Sequence, residues 1–368
     1  MTRYIHQHKD WATFTWDSDL LLPKLALVRN KQGTLIGQMS ALGFDLKQES
    51  ILENLTLDVL KSWEIEGAFL EPEQVRSSIA RHLGMDISGL IPSDRYVEGV
   101  VDMMLDATQN YQNELTEERL FDWHAALFPT GRSGMFKISV GQWRKDEKSP
   151  MQVVSVVLGK EKIHFQAPDA ALLATEMNKF IAWFNEEEAL DPVLKAAIAH
   201  LWFITIHPFD DGNGRIARAI TDMQLAKSEG SPQRFYSMSA EIERQRKGYY
   251  AILEKTQKGS LDISDWLIWF LDCLLLALKG TEATLEKVLK KAKFWEKHAT
   301  TILNERQILM LNKLMGQFEG KLTSSKWAKI TKCSSDTALR DIQDLLDKDI
   351  LFKESSGGRS TSYVLNLY

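Results

Sequence analysis

The sequence predicts a mainly α-helical protein with a β-hairpin near its middle and a small second domain at its C-terminal end. Three observations support this prediction. Only nine prolines occur in 368 residues, and apolar residues recur at helical spacing along most of the chain. β-Branched residues are concentrated in Met151–Pro168, around a turn at Gly159. The last 70 or so residues combine three helix-length patterns with two short strands.

Composition places the chain among ordinary globular proteins. Apolar residues make up 44% and charged residues 26%, and the length favours two or three domains. The formal net charge of −5 argues against nucleic-acid binding along the whole surface.

Two cysteines, Cys273 and Cys333, cannot build a disulfide framework, which indicates a reducing compartment. The polar N-terminus does not resemble a secretory signal, and the apolar run Trp266–Leu278, which contains Asp272, is too short to span a bilayer. We therefore expect a cytoplasmic protein.

Helical patterns account for most of the chain before the C-terminal domain. We expect short helices over the first hundred residues, the clearest at Leu52–Leu70, and an amphipathic helix at Glu118–Phe128. After the hairpin, Ala171–Asn185 predicts another helix. Val193–Ile206 is apolar on nearly every face and is expected to be a central buried helix. Ala283–Ala299 is charged and predicts an exposed helical connector.

The C-terminal pattern is typical of a winged helix-turn-helix. Three helices are predicted at Glu305–Met315, Ser324–Thr331 and Ser334–Ile350, the last two opened by serines suited to N-capping. Two short strands follow around Gly357–Gly358. We expect this domain at about residues 300–368.

The charge of this C-terminal domain leaves its partner open. Residues 301–368 contain ten Lys and Arg against eight Asp and Glu, a net charge of +2. A domain that binds DNA strongly would have a clearer basic face. Arg340 and Arg359 are the candidate DNA contacts, and a protein-docking or dimerisation module is an equal alternative.

The stretch HPFDDGNGRIAR, His207–Arg218, carries the densest chemistry in the sequence. Pro208 disfavours helical geometry at the residue before it, so the central helix should end near His207. The segment DDGNG predicts a tight turn, because glycine and asparagine tolerate left-handed backbone angles. A second helix then begins, with Ile216 on its apolar face.

A glycine-rich loop that enters a helix directs several backbone N–H groups and the helix dipole at one point, which favours an anion. Arg215 and Arg218 add two permanent positive charges. Asp211 offers an oxygen ligand suited to Mg²⁺ held jointly with phosphates. His207 has a pKa suited to accepting a proton near neutral pH. Together these groups predict a phosphate site with a metal and a base.

Other interpretations of this stretch are possible in principle. It lacks the Lys-Ser/Thr ending of a P-loop, which argues against Walker-type ATPase chemistry. A solvated turn with a core histidine would explain any one of the residues, but not all of them in one turn. His200 and His207 are seven positions apart, and without a third ligand nearby they do not indicate a zinc site.

The stretch resembles the signature of the Fic family, His-x-Phe-x-(Asp/Glu)-Gly-Asn-Gly-Arg-x-x-Arg, at every fixed position. The resemblance implies a protein adenylyltransferase with a Fic-type helical bundle, a hairpin flap and a C-terminal winged helix. It implies that His207 deprotonates a Ser, Thr or Tyr hydroxyl of a target protein or of the enzyme itself. That hydroxyl would attack the α-phosphate of ATP, which leaves AMP on the target and releases pyrophosphate.

The resemblance also assigns the surrounding residues. Asp211 would hold Mg²⁺, and Phe209 would anchor the loop in the core. The expected ATP-binding residues are Asp211, Gly212, Asn213, Gly214, Arg215, Arg218, Tyr249, Tyr250 and Gln257. Helix packing is the alternative for the two tyrosines. The hairpin resembles the family flap, whose exposed edge would pair with a target peptide; the alternative is a surface hairpin that covers the core. The docking strand would be Val153, Val154, Ser155, Val156 and Val157.

SWEIEG, Ser62–Gly67, resembles the inhibitory signature of the family, (Ser/Thr)-x-x-x-Glu-(Gly/Asn). The resemblance implies that Glu66 pairs with Arg218 and restrains the reaction. Four regions are expected. Residues 1–112 form an N-terminal helical region with the inhibitory helix, and residues 113–280 form the catalytic core. Residues 281–299 form the connector, and residues 300–368 form the winged helix. A DNA-binding regulator is the alternative function, and a homodimer is left open.

Overall fold

A computed structural model describes residues 4–40, 44–85, 89–146, 149–157, 160–187, 189–315, 318, 320–354 and 361–366. The chain divides into two compact units, Met1–Thr281 and Glu282–Tyr368. Helices dominate both units, which confirms the mainly α-helical prediction. The predicted turn positions Gly159 and Gly357–Gly358 lie outside the described residues.

The first unit consists of helices with two small antiparallel strand pairs. Its helices are α1 (Ser18–Ser40), α2 (Phe44–Ile65), α3 (Pro72–His82), α4 (Arg95–Gln109), α5 (Glu117–Leu127), α6 (Leu173–Asn185), α7 (Pro192–Ile206), α8 (Asn213–Glu229), α9 (Met238–Arg244), α10 (Arg246–Gln257) and α11 (Ser264–Lys297). Its strands are β1 (Arg132–Ser133), β2 (Phe136–Lys137), β3 (Gln152–Val157) and β4 (Lys160–Gln166). Short 3₁₀ turns occur at Ile5–Gln7 and Ala170–Leu172.

The N-terminal region differs from the prediction of short helices, because α1 has 23 residues and α2 has 22. The buried positions of α1 are spaced alternately by three and four residues, as a long amphipathic helix requires: Leu21, Leu25, Val28, Gln32, Leu35 and Met39. Exposed leucines at positions 20, 22 and 27 hide this period in the sequence. The prediction was wrong because apolar residues on the exposed face weakened the signal.

The core of this unit is built around α7, as expected from its apolar sequence. Every residue from Val193 to Ile206 is buried, and α8 packs along it. Helix α2 is anchored to the N-terminal end of α9, where Asp58 accepts hydrogen bonds from the Ser237 hydroxyl at 2.6 Å and the Ser239 N–H at 3.1 Å. The C-terminal end of α2 therefore has a defined position beside α8.

The predicted hairpin is formed by β3 and β4, which pair antiparallel with a register shift between Val153 and Val154. The β1–β2 ladder was missed, because two-residue strands carry no alternating pattern. Helix α11 runs from Ser264 to Lys297, so the boundary expected at residue 280 lies inside one helix.

The second unit contains, after the end of α11, the helices α12 (Glu305–Met315), α13 (Ser324–Thr331) and α14 (Ser335–Asp347) and the strands β5 (Leu351–Lys353) and β6 (Tyr363–Leu365). The strands pair antiparallel over a core that includes Trp327 and Ile342. Ser334 caps α14 as expected, whereas the cap of α13 is Thr323, one residue before the predicted serine. In the described part of the chain, no helix is long and apolar enough to cross a membrane.

Candidate functional site

The predicted phosphate turn connects α7 to α8. Helix α7 ends at Ile206, and His207 adopts the left-handed region with φ 52° and ψ 57°. Few non-glycine residues adopt this conformation, and here Arg144 supports it. The Arg144 Nε donates to the His207 carbonyl at 2.8 Å, and its backbone N–H donates to the Pro208 carbonyl at 2.9 Å. The turn at His207 is therefore fixed from outside the motif.

His207 is in the protonation state that a general base needs. Its Nδ1 lies 3.3 Å from the Ile204 carbonyl, which can only accept a hydrogen bond. Nδ1 therefore carries the hydrogen, and Nε2 of the neutral ring is the acceptor nitrogen. Burial lowers the pKa of His207 to about 4. The ring is neutral at pH 7, so Nε2 can take a proton.

Phe209 anchors the turn in the core. Its ring is completely buried and stacks on His124, with ring centroids 4.1 Å apart and an angle of 8°. The Asn213 side chain holds the Phe209 backbone from the other end: its Oδ1 accepts from the Phe209 N–H at 2.9 Å, and its Nδ2 donates to the Phe209 carbonyl at 2.8 Å. The Asn213 side chain is thus engaged by the turn, and its backbone N–H is one of the first N–H groups of α8, which have no intrahelical partner.

Gly212 immediately precedes α8 as its N-terminal cap residue and has a positive φ of 84°. A Cβ there would lie 2.9 Å from the Phe128 ring, so both the backbone angle and the space favour glycine.

Asp211 is the exposed carboxylate of the turn, with 40% of its side chain accessible. Its Oδ2 accepts from the Ser133 hydroxyl, and its Oδ1 lies 3.2 Å from Nη2 of Arg215. Burial opposes ionisation, but the Arg215 charge and the hydrogen bonds from Ser133 and the Gly212 N–H outweigh it. The pKa of Asp211 is therefore below its usual value. An ionised, accessible carboxylate next to an anion-binding turn fits a Mg²⁺ ion shared with phosphates.

The two arginines of the motif are buried beneath the turn. The Arg215 guanidinium lies 4.6 Å from the centre of the Trp63 ring and 4.9 Å from that of Phe128. Arg218 is 2% exposed and donates from Nε to the Ser62 hydroxyl and from Nη2 to the Ser62 carbonyl, both at 2.8 Å. Nε of Arg215 and Nη1 of Arg218 are buried and have no hydrogen-bond partner among the described residues.

Glu66 reaches the same arginine. Its Oε1 lies 2.8 Å from Nη2 of Arg218, and its Oε2 lies 3.4 Å from the Tyr250 hydroxyl. A Cβ at Gly214 would collide with Oε1 of Glu66. The carboxylate therefore lies directly against the N-terminal end of α8, where an anion would be favoured.

The three expected ATP-binding residues of α10, Tyr249, Tyr250 and Gln257, have different environments. The Tyr249 hydroxyl lies 2.8 Å from Nε2 of His200, and Nε2 of Gln257 donates to the Thr205 hydroxyl at 3.3 Å. Both side chains are buried in the core, as the helix-packing alternative expected for Tyr249. Tyr250 is 40% exposed and is the one of the three that a ligand can reach in this conformation.

The expected docking strand coincides with β3. Val153 and Val154 are exposed, and β3 pairs on one edge with β4 in a two-stranded sheet. Ser155 is different, because its hydroxyl lies 2.6 Å from Nε2 of His164. The Val156 and Val157 backbones belong to the strand, whereas their side chains are outside the described set. Target docking at this strand stays a prediction.

Sequence analysis missed three residues that hold the site. His124 donates from Nε2 to the Asp211 carbonyl and accepts from the Gly141 N–H, both at 3.2 Å. Ser133 bonds the Asp211 carboxylate, and Arg144 bonds the backbone of His207. No local signal marks these residues, because each acts on a partner 63 to 87 positions away.

In the second unit, Arg340 is exposed on α14, whereas Arg359 lies outside the described residues. The geometry of this unit does not distinguish DNA binding from protein docking, so both stay predictions.

Two family models match the chain. Residues 4–85 match a domain of unknown function (DUF4172), and residues 114–225 match the Fic/DOC family. The second unit lies outside both matches.

Curated relatives match a limited part of the chain. It is 35% identical over 97 residues to the protein adenylyltransferase fic-1 of Caenorhabditis briggsae, a match that covers 26% of this chain and 18% of that protein. It is also 35% identical over 121 residues to the protein adenylyltransferase Fic of Drosophila grimshawi, which covers 32% of this chain and 22% of that protein. The chain thus spans about a fifth of the length of these relatives.

Solved structures agree on the fold. A Fic family protein from Desulfovibrio desulfuricans aligns over 94% of this chain and 96% of its own, with a TM-score of 0.52 and 20% identity. A signalling protein with a Fic domain from Bacteroides thetaiotaomicron covers 73% of this chain and 97% of its own, with a TM-score of 0.50 and 21% identity.

Proposed function

Since this chain carries a Fic/DOC family domain at residues 114–225, we propose that it transfers AMP from ATP to hydroxyl groups of proteins, including its own. The observation that carries the proposal is the arrangement of one turn. A neutral His207 with Nε2 as its acceptor nitrogen follows α7, and the donors and arginines of an anion site open α8. The named activity of the matching relatives supports the same reaction class.

In the proposed reaction, Nε2 of His207 takes the proton of a Ser, Thr or Tyr hydroxyl on the target. The oxygen forms a bond to the α-phosphorus of ATP, and the bond from that phosphorus to the pyrophosphate oxygen breaks. The backbone N–H groups of Asn213 and Gly214 would bind phosphate oxygens, since the first N–H groups of a helix have no intrahelical partner, whereas the Gly212 N–H donates to Oδ1 of Asp211. Arg215 and Arg218 neutralise phosphate charge.

Asp211 is the proposed ligand of Mg²⁺, through the carboxylate that Ser133 and Arg215 hold in place. When bound, Mg²⁺ would neutralise phosphate charge at the turn. Among the described residues, the cluster of three potential ligands is elsewhere, at His82, Glu98 and Asp102. A single carboxylate at the turn suits an ion that the substrate phosphates complete.

The base of ATP is proposed to bind near Tyr250, the accessible tyrosine of α10. Tyr249 and Gln257 then act as core residues beneath it, in contrast to the direct contacts that the resemblance implies. The exposed β3 edge, at Val153 and Val154, is the proposed docking strand for the target peptide.

We also propose that Glu66 restrains this activity. Its carboxylate pairs with Arg218 and lies against Gly214, where it competes for the same cation and repels phosphate charge. ATP that binds beside it would have its α-phosphate displaced, and small displacements from in-line geometry reduce the rate strongly.

The decisive experiment compares ATP labelled at the α-phosphate with ATP labelled at the γ-phosphate, each incubated with Mg²⁺ and the Glu66→Gly protein. Label on protein from α-labelled ATP alone supports AMP transfer. Label from γ-labelled ATP would indicate phosphorylation and contradict the proposal, as would the absence of both labels. The His207→Ala form of the same variant is the matched control.

A further inference from the structure

The last turn of α2 and the residue that follows it contact both arginines of the phosphate turn, with three side chains of different character. Ser62 bonds Arg218, Trp63 packs on Arg215, and Glu66 pairs with Arg218. Only the glutamate carries a charge that competes with phosphate. The other two side chains support the arginines without occupying the place of an anion.

Trp63 is fixed independently of Arg215. It is 1% exposed, and its Nε1 donates to the Tyr96 hydroxyl at 2.7 Å. The Tyr96 ring also meets the indole edge-on, with centroids 5.5 Å apart and an interplanar angle of 80°. Tyr96 belongs to α4, which packs against α8. The indole is therefore a rigid surface held by α2 and α4 together.

Arg215 depends on that surface because few hydrogen bonds hold it. The contact of Nη2 with Asp211 is long, at 3.2 Å, and Nε is buried with no hydrogen-bond partner in the described part of the chain. The aromatic rings of Trp63 and Phe128, at 4.6 and 4.9 Å, are the close partners of the guanidinium. A desolvated guanidinium over an indole ring is among the stronger cation–π contacts.

From this arrangement we infer that Trp63 is a positioning residue for Arg215, so that α2 is part of the working site as well as the carrier of its inhibitor. The inference rests on the proposed function. Its consequence is that inhibition ends when the Glu66 side chain leaves Arg218 while α2 stays docked. Departure of the whole helix would remove the charge of Glu66 and also the support of Arg215.

The burial of α2 agrees with a helix that stays. Leu52, Leu55 and Val59 are buried on it, and Asp58 holds the N-terminal end of α9 through Ser237 and Ser239. These contacts lie about two to four turns before Glu66 and do not depend on its carboxylate.

The test introduces Trp63→Leu and Trp63→Phe separately into the Glu66→Gly protein. ATP affinity is measured by titration calorimetry, and kcat and KM for α-labelled ATP are measured from self-labelling. We expect Trp63→Leu to lower kcat/KM by about 10-fold or more and to weaken ATP binding. Trp63→Phe keeps an aromatic face for Arg215 and should recover most of both.

The matched control is Leu55→Ala in the same background, which truncates a buried α2 residue about two turns before Trp63. It should lower the melting temperature but leave kcat/KM within about 3-fold at a temperature where the protein is folded. Trp63→Leu activity equal to the parent would overturn the inference. So would an equal loss of kcat/KM in Leu55→Ala, or failure of Trp63→Phe to recover.

The proposed function fails in a different way. If the Glu66→Gly parent neither binds ATP nor becomes labelled, the adenylyltransferase assignment is wrong, and the role of Trp63 falls with it. If the parent is active and the Trp63 variants match it, only the inference about Trp63 is wrong.

Discussion

Glu66 and Arg218, 152 positions apart in the chain, lie with Oε1 and Nη2 2.8 Å from each other at the start of α8. The arginine is 2% exposed on its side chain, whereas the glutamate is 33% exposed. A buried cation thus takes its carboxylate partner from the surface of another helix. Phosphate would be a better partner for this cation, because it offers more charge and more acceptor oxygens.

Replacement of Glu66 by glycine should raise self-labelling from α-labelled ATP by about 10-fold or more, since the competing carboxylate is gone and in-line geometry becomes accessible. Wild type, Glu66→Gly and Glu66→Gly/His207→Ala are compared by autoradiography. Equal labelling of the first two would leave Glu66 as an ordinary carboxylate. Arg218→Ala should not mimic the activation, because it removes a phosphate ligand as well.

His207→Ala should abolish AMP transfer and leave ATP binding largely intact. The base acts on the attacking hydroxyl, whereas the anion site is formed by the residues after it. General-base assistance contributes about 10²–10⁴-fold, and a loss of that size is expected in kcat. Calorimetric titration with ATP checks the binding. A variant that labels protein at the wild-type rate would exclude His207 as the base.

Stability should decrease as the pH falls from about 6.5 toward 4, because buried histidines stay neutral in the folded protein. Burial lowers the pKa of His124 to about 4 and that of His200 to about 3, from an ordinary value of 6.5. Between pH 6.5 and the lowered pKa of each histidine, the unfolded chain binds a proton that the folded chain does not. The free energy of unfolding therefore falls with decreasing pH. The expected loss at pH 5 is about 2 kcal/mol for each histidine.

Urea unfolding of wild type and His124→Gln at pH 7 and pH 5 measures this effect. The variant should lose about 2 kcal/mol less than wild type between the two pH values, whatever its own stability at pH 7. The same difference in both proteins would mean that His124 is not the group that titrates.

Residues 300–368 provide a separate prediction, since no family match covers them. If α14 contacts DNA, Arg340→Ala should weaken duplex binding, and the affinity should fall as salt increases. Fluorescence anisotropy with a labelled duplex at low and moderate salt measures both. If wild type binds no duplex at low salt, the unit is better explained as a protein-contact module.

Several features of the fold and the site follow from short stretches of sequence. The end of α7 before Pro208, the positive φ at Gly212 and the start of α8 all depend on neighbouring residues, whereas Arg144 supports the left-handed angle at His207 from a distance in the chain. The pairing of β3 with β4 follows from adjacent β-branched segments. The length of α1 did not follow from the sequence, because its exposed leucines obscure the helical period of its buried face.

What the sequence by itself determined is therefore the turn that follows α7 and the buried character of α7, since backbone preference and apolar periodicity are local properties. Only the tertiary structure decided which side chains support that turn. Arg144 holds His207, and Trp63 carries Arg215. Tyr249 is buried against His200 rather than exposed to a ligand. These contacts join residues that are distant in the chain, and packing of the helices alone brings them within hydrogen-bond or cation–π distance.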